Sequence, residues 1–243
     1  MYARLALAVY LLGVHALIFG FIFHPGFTTK VKSALRISDS YGSQLLYQEM
    51  VAFHTRLDKN LPRNAMVFIG DSHIQGLAVT AVSPYSVNFG IGSDTTIGVL
   101  NRLPLYRSLE TSRMIVLAIG FNDLNKRDDL EILENLDKIL RFLPESKPVI
   151  LLSLFPVNEL NSRRSGYNGR IRALNFEYKI LSENYENVNY LNAHAVLSDQ
   201  QFGLSSAYDS GDGVHLNKAG YDEIISEIAR AASLLSSNFN NGE

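Results

Sequence analysis

Downstream of Pro62, short apolar runs alternate with longer amphipathic segments. The runs are Met66–Ile69, Ser86–Phe89, Met114–Ile119, Val149–Leu154 and Val188–Leu191. They are short, and several are rich in β-branched side chains, as strands buried on both faces should be. Between and after them lie two helical stripes. Ile132, Leu136, Ile139 and Leu143 make one; Tyr221, Ile224, Ile225, Ile228 and Ala232, following Gly220, make the other. Such strand–helix alternation predicts an α/β domain with a mostly parallel sheet. Upstream, Leu46, Met50, Phe53 and Leu57 recur at spacings of four, three and four, which predicts a helix over 41–59.

The first residues follow a different rule. From Leu5 to Phe23 the only strongly polar side chain is His15. About 19 residues of helix span about 28 Å, close to the ~30 Å hydrocarbon core of a bilayer. The run ends in bulky residues, Phe21-Ile22-Phe23, rather than the small residues that precede a signal-peptide cleavage point. The expected organisation is therefore a transmembrane anchor over 1–25, a linker and amphipathic helix over 26–62, and a catalytic domain over 63–243. Arg4 favours a cytoplasmic N-terminus, whereas Lys30, Lys32 and Arg36 argue the other way. The reading adopted places the domain outside the cytoplasm, since a cytoplasmic enzyme rarely needs such a segment.

Composition narrows the chemistry. The 243 residues hold 22 basic and 24 acidic side chains, a formal charge of −2, and no cysteine. A disulfide scaffold, a thiolate metal site and a cysteine nucleophile are excluded. No net basic field exists to hold nucleic acid. At 47% hydrophobic and 19% charged, the chain is too apolar for disorder.

In parallel sheets ligands bind beyond the carboxyl ends of the strands, so the polar residues after each apolar run deserve inspection. They are Gly70-Asp71-Ser72-His73, the loop Gly90–Thr95, Gly120-Phe121-Asn122-Asp123 and, before the last helix, Asp212-Gly213-Val214-His215. Ser72 at a strand-to-helix turn exposes its hydroxyl near free helix N–H groups. A serine needs a base to become a nucleophile. In Asp212-x-x-His215 the carboxylate can fix the imidazole through Nδ1–H and leave Nε2 to accept the Ser72 proton. Each residue also has a plain structural use: Ser72 as a helix cap, His215 as a cap or core histidine, Asn122 as a turn residue. Asn122 could instead donate an N–H to an oxyanion. The Gly90–Thr95 loop lacks the third glycine of a dinucleotide fingerprint, and no P-loop is present.

Taken together and in order, Gly70-Asp71-Ser72, the Gly90–Thr95 loop, Gly120-x-Asn122-Asp123 and Asp212-x-x-His215 resemble the blocks of the SGNH, or GDSL-type, hydrolases over about residues 64–235. The stretch Asn88–Thr96 is similar to the branch containing the platelet-activating-factor acetylhydrolase catalytic subunits. The resemblance implies a flavodoxin-like three-layer α/β/α sandwich with a mostly parallel five-stranded sheet. It implies carboxylic-ester hydrolysis without metal or cofactor, with Ser72 as nucleophile, His215 as general base and Asp212 as its orienting partner. The implied oxyanion donors are the Ser72 N–H, a second-block N–H and the Asn122 side chain. Two positions depart from the pattern. The second-block donor is normally a glycine, and Ser93 stands there; Gly92 is the alternative after a loop shift. His73 replaces the leucine of the name motif and is expected to be an exposed turn residue.

Around these residues, Asp71, Asp94, Thr95 and Asp123 are expected to brace their turns. His54, His73 and His194 form no ligand spacing, and Arg163-Arg164 is expected in a solvated loop, with a lesser role against an anionic or sugar substrate. Three functions fit: a membrane-anchored esterase acting on small acyl esters such as O-acetyl groups on a glycan or lipid, an O-acyltransferase using the same residues, and a catalytically silent anchored binding subunit.

Overall fold

The computed structural model describes Tyr2 and residues 10–16, 19–20, 40–160 and 164–240. The chain divides into two compact units, Met1–Gln48 and Glu49–Glu243. The expected membrane span, Leu5–Phe23, and the linker before Ser40 fall mostly outside the described residues, though residues 10–16 are helical. Among the described residues no helix is long and apolar enough to cross a membrane.

The second unit holds one sheet of five parallel strands: β1 (Met66–Gly70), β2 (Ser86–Gly90), β3 (Met114–Ala118), β4 (Val149–Leu152) and β5 (Val188–Leu191). Their order is β2-β1-β3-β4-β5, the order of flavodoxin-like sheets. Because successive strand residues point to opposite faces, each strand feeds two cores. Val67, Ile69, Ile115, Leu117, Val149 and Leu151 face one cluster, with Ile132, Leu136, Ile171 and Leu174 from two helices. Met66, Phe68, Met114, Val116, Ile150 and Leu152 face the other, with Ile74, Ile224 and Ile228. A sheet covered on both faces explains why its central strands read as unbroken apolar runs.

The helices expected from the stripes are present as Ser40–Asp58, Asp129–Phe142 and Lys218–Asn240. Asp128 caps the second of them by accepting the Glu131 N–H. The strand expected to reach Leu154 stops at Leu152. Beyond it the backbone turns to the side chain of Asn175, which bonds both the N–H and the carbonyl of Leu154. Asn175 lies on Tyr167–Ser182, a helix the stripe analysis did not mark.

Candidate active site

β1 lies inside the sheet and β3 beside it, so the turns after both open at the same carboxyl edge. Ser72 begins a one-turn helix, Ser72–Gln75, directly after β1, with Asp71 as its N-cap. The seat is tight. A Cβ on Gly70 would lie 2.2 Å from the Ala118 carbonyl, and one on Gly90 would lie 2.3 Å from the Gln75 nitrogen. Both glycines are therefore needed to let the turn approach β2 and β3. Asn88 on β2 reinforces this approach: its side chain donates to the carbonyls of Ile74 and Leu77 at 2.6 and 3.0 Å.

The second segment is the loop before the last helix. Asp209 closes it from within by accepting the N–H groups of Gly211 and Gly213. Asp212 Oδ1 accepts the backbone N–H groups of Val214 and His215, at 2.9 and 2.8 Å, while Oδ2 faces His215 Nδ1 at 2.6 Å. Burial works against the Asp212 charge, but the hydrogen bonds from the His215 side chain and the two amides outweigh it and hold the carboxyl well below the usual carboxylate range. The other nitrogen, His215 Nε2, is 3.0 Å from Ser72 Oγ. The imidazole thus stands between a fixed acceptor and a hydroxyl, with its outer face open to solvent. Such an arrangement can draw the proton from Ser72 and return it to a leaving group.

The other two turns supply N–H groups. Ser93 has φ +64°, in the left-handed region. The amide of Gly92 is taken by Gln75 Oε1 at 2.7 Å. Among the described residues nothing accepts the Ser93 amide, which leaves it, rather than Gly92, available to a ligand. Asn122 sits in the turn after β3, its Nδ2 donating to the Asp94 carbonyl at 3.0 Å. Asp94 Oδ1 accepts the Thr95 N–H as expected. Asp123 also braces its turn, accepting from the Thr96 N–H and hydroxyl and from Arg127.

Three residues escaped the sequence reading. Arg102 is 1% exposed, donates to Asp94 Oδ2 at 2.8 Å and to the Gly70 carbonyl at 3.1 Å, and so locks the second block to β1. A lone arginine within the apolar stretch 96–105 was the available signal. Asn88 and Gln75 gave none, because their partners are main-chain atoms distant in sequence: the Ile74 and Leu77 carbonyls for Asn88, the Gly92 N–H for Gln75.

His73 corrects an expectation. Instead of an exposed turn residue it is 5% exposed, packed against the rings of Phe121 and Phe155. It is drawn inward because both ring nitrogens find acceptors there: Nδ1 at Asp71 Oδ1, 3.2 Å, and Nε2 at the Val214 carbonyl, 3.1 Å. Arg164 likewise is not simply solvated: its guanidinium lies 5.4 Å from the centre of the Phe121 ring. Arg163 lies outside the described residues. A cavity of about 420 Å³ lined by Phe176, Tyr190, His194 and Phe202 is separate from these residues and contains neither Ser72 nor His215.

The sequence of residues 68–223 matches the model of the GDSL-like lipase/acylhydrolase family. The chain belongs to this family. Membership makes it an ester hydrolase by class. The platelet-activating factor acetylhydrolase IB subunit alpha2 of Bos taurus is 30% identical over 176 residues, covering 67% of this chain and 73% of that protein; the Homo sapiens protein matches equally. Among solved structures, a Streptococcus pneumonia protein provisionally named for platelet activating factor superposes with a TM-score of 0.72 at 26% identity, over 80% of this chain and 99% of that one. An acetylxylan esterase of Geobacillus stearothermophilus shares the fold with a TM-score of 0.55 at 19% identity, over 69% of this chain and 93% of its own.

Proposed function

We propose that this chain is a membrane-anchored serine esterase that removes small acyl groups, O-acetyl groups among them, by nucleophilic catalysis. The observation that carries this reading is the continuous chain from Ser72 Oγ to His215 to Asp212, at 3.0 and 2.6 Å, beside free N–H donors at the sheet edge.

In the proposed cycle His215 Nε2 takes the Ser72 proton as Oγ attacks the ester carbonyl. Asp212 keeps Nδ1 protonated and stabilises the imidazolium that forms. The developing oxyanion is held by the Ser72 and Ser93 amides and by Asn122, donors of a kind each worth ~3–4 kcal/mol in the transition state. His215 then gives its proton to the leaving alcohol. Water, activated by the same imidazole, releases the acid and restores Ser72.

Small acyl groups are favoured by the names of the relatives, which include acetylhydrolases and an acetylxylan esterase. The membrane anchor rests on the apolar run Leu5–Phe23, and the extracytoplasmic placement of the domain on Arg4 preceding it. Hydrolysis of p-nitrophenyl acetate by the full chain and by folded Ser72→Ala protein tests the reaction. Equal turnover by the two ends this reading. A reporter fused after Glu243 tests the topology, and activity only in the cytoplasm would overturn it.

A further inference from the structure

The buried histidine beside the nucleophile has no part in that cycle, yet it touches both halves of the site. Its two ring nitrogens both face acceptors. The Val214 carbonyl can only accept, so Nε2 carries a proton. Asp71 is 2% exposed, and among the described residues His73 Nδ1 is the one basic side-chain group paired with it. A neutral ring protonated on Nε2 alone would turn a lone pair towards that carboxylate. A proton on Nδ1 as well satisfies the ring and gives the buried carboxylate a charged partner beside the His73 N–H it already accepts, and a buried charge without a counter-charge is costly. Consistently, the pKa of His73 is raised: burial opposes the charge, but Asp71, the Val214 carbonyl and the more distant Asp212 outweigh it.

The connectivity is as telling as the charge. Ser72 and His73 are neighbours on one segment; His215 and Val214 are neighbours on the other. Ser72 meets His215 at 3.0 Å and His73 meets Val214 at 3.1 Å, so two adjacent rungs join the two segments. The first rung must break and re-form in every turnover. The second need not.

We propose that His73 is a positioning residue, a buried imidazolium that pins the base-bearing loop to the nucleophile turn through Asp71 and the Val214 carbonyl. It sets the Ser72–His215 distance without touching substrate. Loss of either ring proton releases one end of the clamp, so alkaline pH should loosen the site. The charged and titratable groups facing it are Asp71 on its own turn and Asp212 and His215 on the loop; Phe121 and Phe155 present apolar rings, with Arg164 on Phe121.

The inference rests on the esterase reading, and its test separates the two. Full-length wild-type, His73→Leu and His73→Gln proteins are assayed for p-nitrophenyl acetate hydrolysis across pH 6–10, with fluorophosphonate labelling of Ser72 alongside. Both variants should lower kcat by about 10- to 100-fold with KM nearly unchanged, the size expected for a misplaced catalytic pair. The wild-type alkaline decline should be absent from His73→Leu. Unlabelled, inactive wild type would sink the esterase reading itself. Active wild type with variants of equal kcat and the same alkaline limb would overturn only the clamp. Should the variants fail to fold, ¹⁵N-histidine NMR of the wild type decides: one ring that keeps both protons to a higher pH than a free imidazole supports the clamp, and none overturns it.

Discussion

Asn122 Nδ2 donates to the main-chain carbonyl of Asp94 at 3.0 Å, so the third turn of the site holds the second in place. An asparagine amide has two N–H bonds, and this contact uses one of them. The same side chain can therefore fix the loop and still offer a donor to an oxyanion. Asn122→Ala removes both. It should lower kcat on p-nitrophenyl acetate by about 10²–10³-fold. A loss of less than fivefold would remove Asn122 from the oxyanion site.

Asp212 is expected to act through His215 alone. Replacing it by Asn keeps the shape but offers Nδ1 the wrong partner, and should cost roughly 10²–10⁴-fold in kcat while the protein stays folded. Ser72→Ala and His215→Ala should abolish turnover. Steady-state kinetics with circular dichroism on each variant checks this. An Asp212→Asn enzyme as fast as wild type would show that the carboxylate is dispensable.

Ser93 holds φ +64°, a conformation that costs a side-chain-bearing residue of order 1–3 kcal/mol and a glycine almost nothing. Glycine also loses more freedom on folding, so the net gain from Ser93→Gly should be about 0.5–1 kcal/mol, or a few degrees in Tm. The backbone N–H survives, and activity should stay within about twofold, since an oxyanion donor from the main chain is kept. Scanning calorimetry and the acetate assay measure the two effects. Lower stability in the glycine variant would show that Ser93 is not strained.

Two buried histidines set the acid side of the stability curve. Burial, with Arg102 nearby, lowers the pKa of His54 to about 4; burial, with Arg172 nearby, does the same for His194. Unfolding restores both to about 6.5, so between pH 6.5 and 4 the unfolded chain binds more protons and folding weakens as pH falls. Each contributes up to about 1.4 kcal/mol per pH unit in that window. Asp212 does not add to this loss, since its folded pKa lies below the carboxylate range and its contribution disappears only at more acid pH. His73 acts oppositely: its raised pKa adds stability that is present below about pH 6.5 and lost as pH rises through the folded value. Tm measured from pH 7 to 4.5 should fall, and His194→Gln should flatten the slope. A flat curve for wild type would contradict this account.

What could be read from the chain follows from how local the signal is. All five strands were legible as short apolar runs, most plainly the fully buried β1, β3 and β4, and Asp212 with His215 was legible because the pair meets within one turn. The helix Tyr167–Ser182 was not. Its buried stripe of Ile171, Leu174 and Tyr178 is interrupted by Asn168 and Asn175, which are also buried because they satisfy backbone groups at 154 and 157. His73 was misjudged for a similar reason: the carbonyl that draws it inward is 141 positions away. Arg102 stood out only as a lone charge in an apolar stretch, and its role lies in the Gly70 carbonyl it reaches, 32 positions away.

The separation of Ser72 from His215 in the chain also bears on timing. Ser72 and His215 stand 143 positions apart. At a synthesis rate of about 5–20 residues per second, the serine is made roughly 7–30 s before its base. The loop that carries the base is then held by contacts with segments made much earlier. A nascent or truncated chain therefore carries an ordinary, unreactive hydroxyl. Under the proposed mechanism, reactivity at Ser72 comes only with the closing of the last loop.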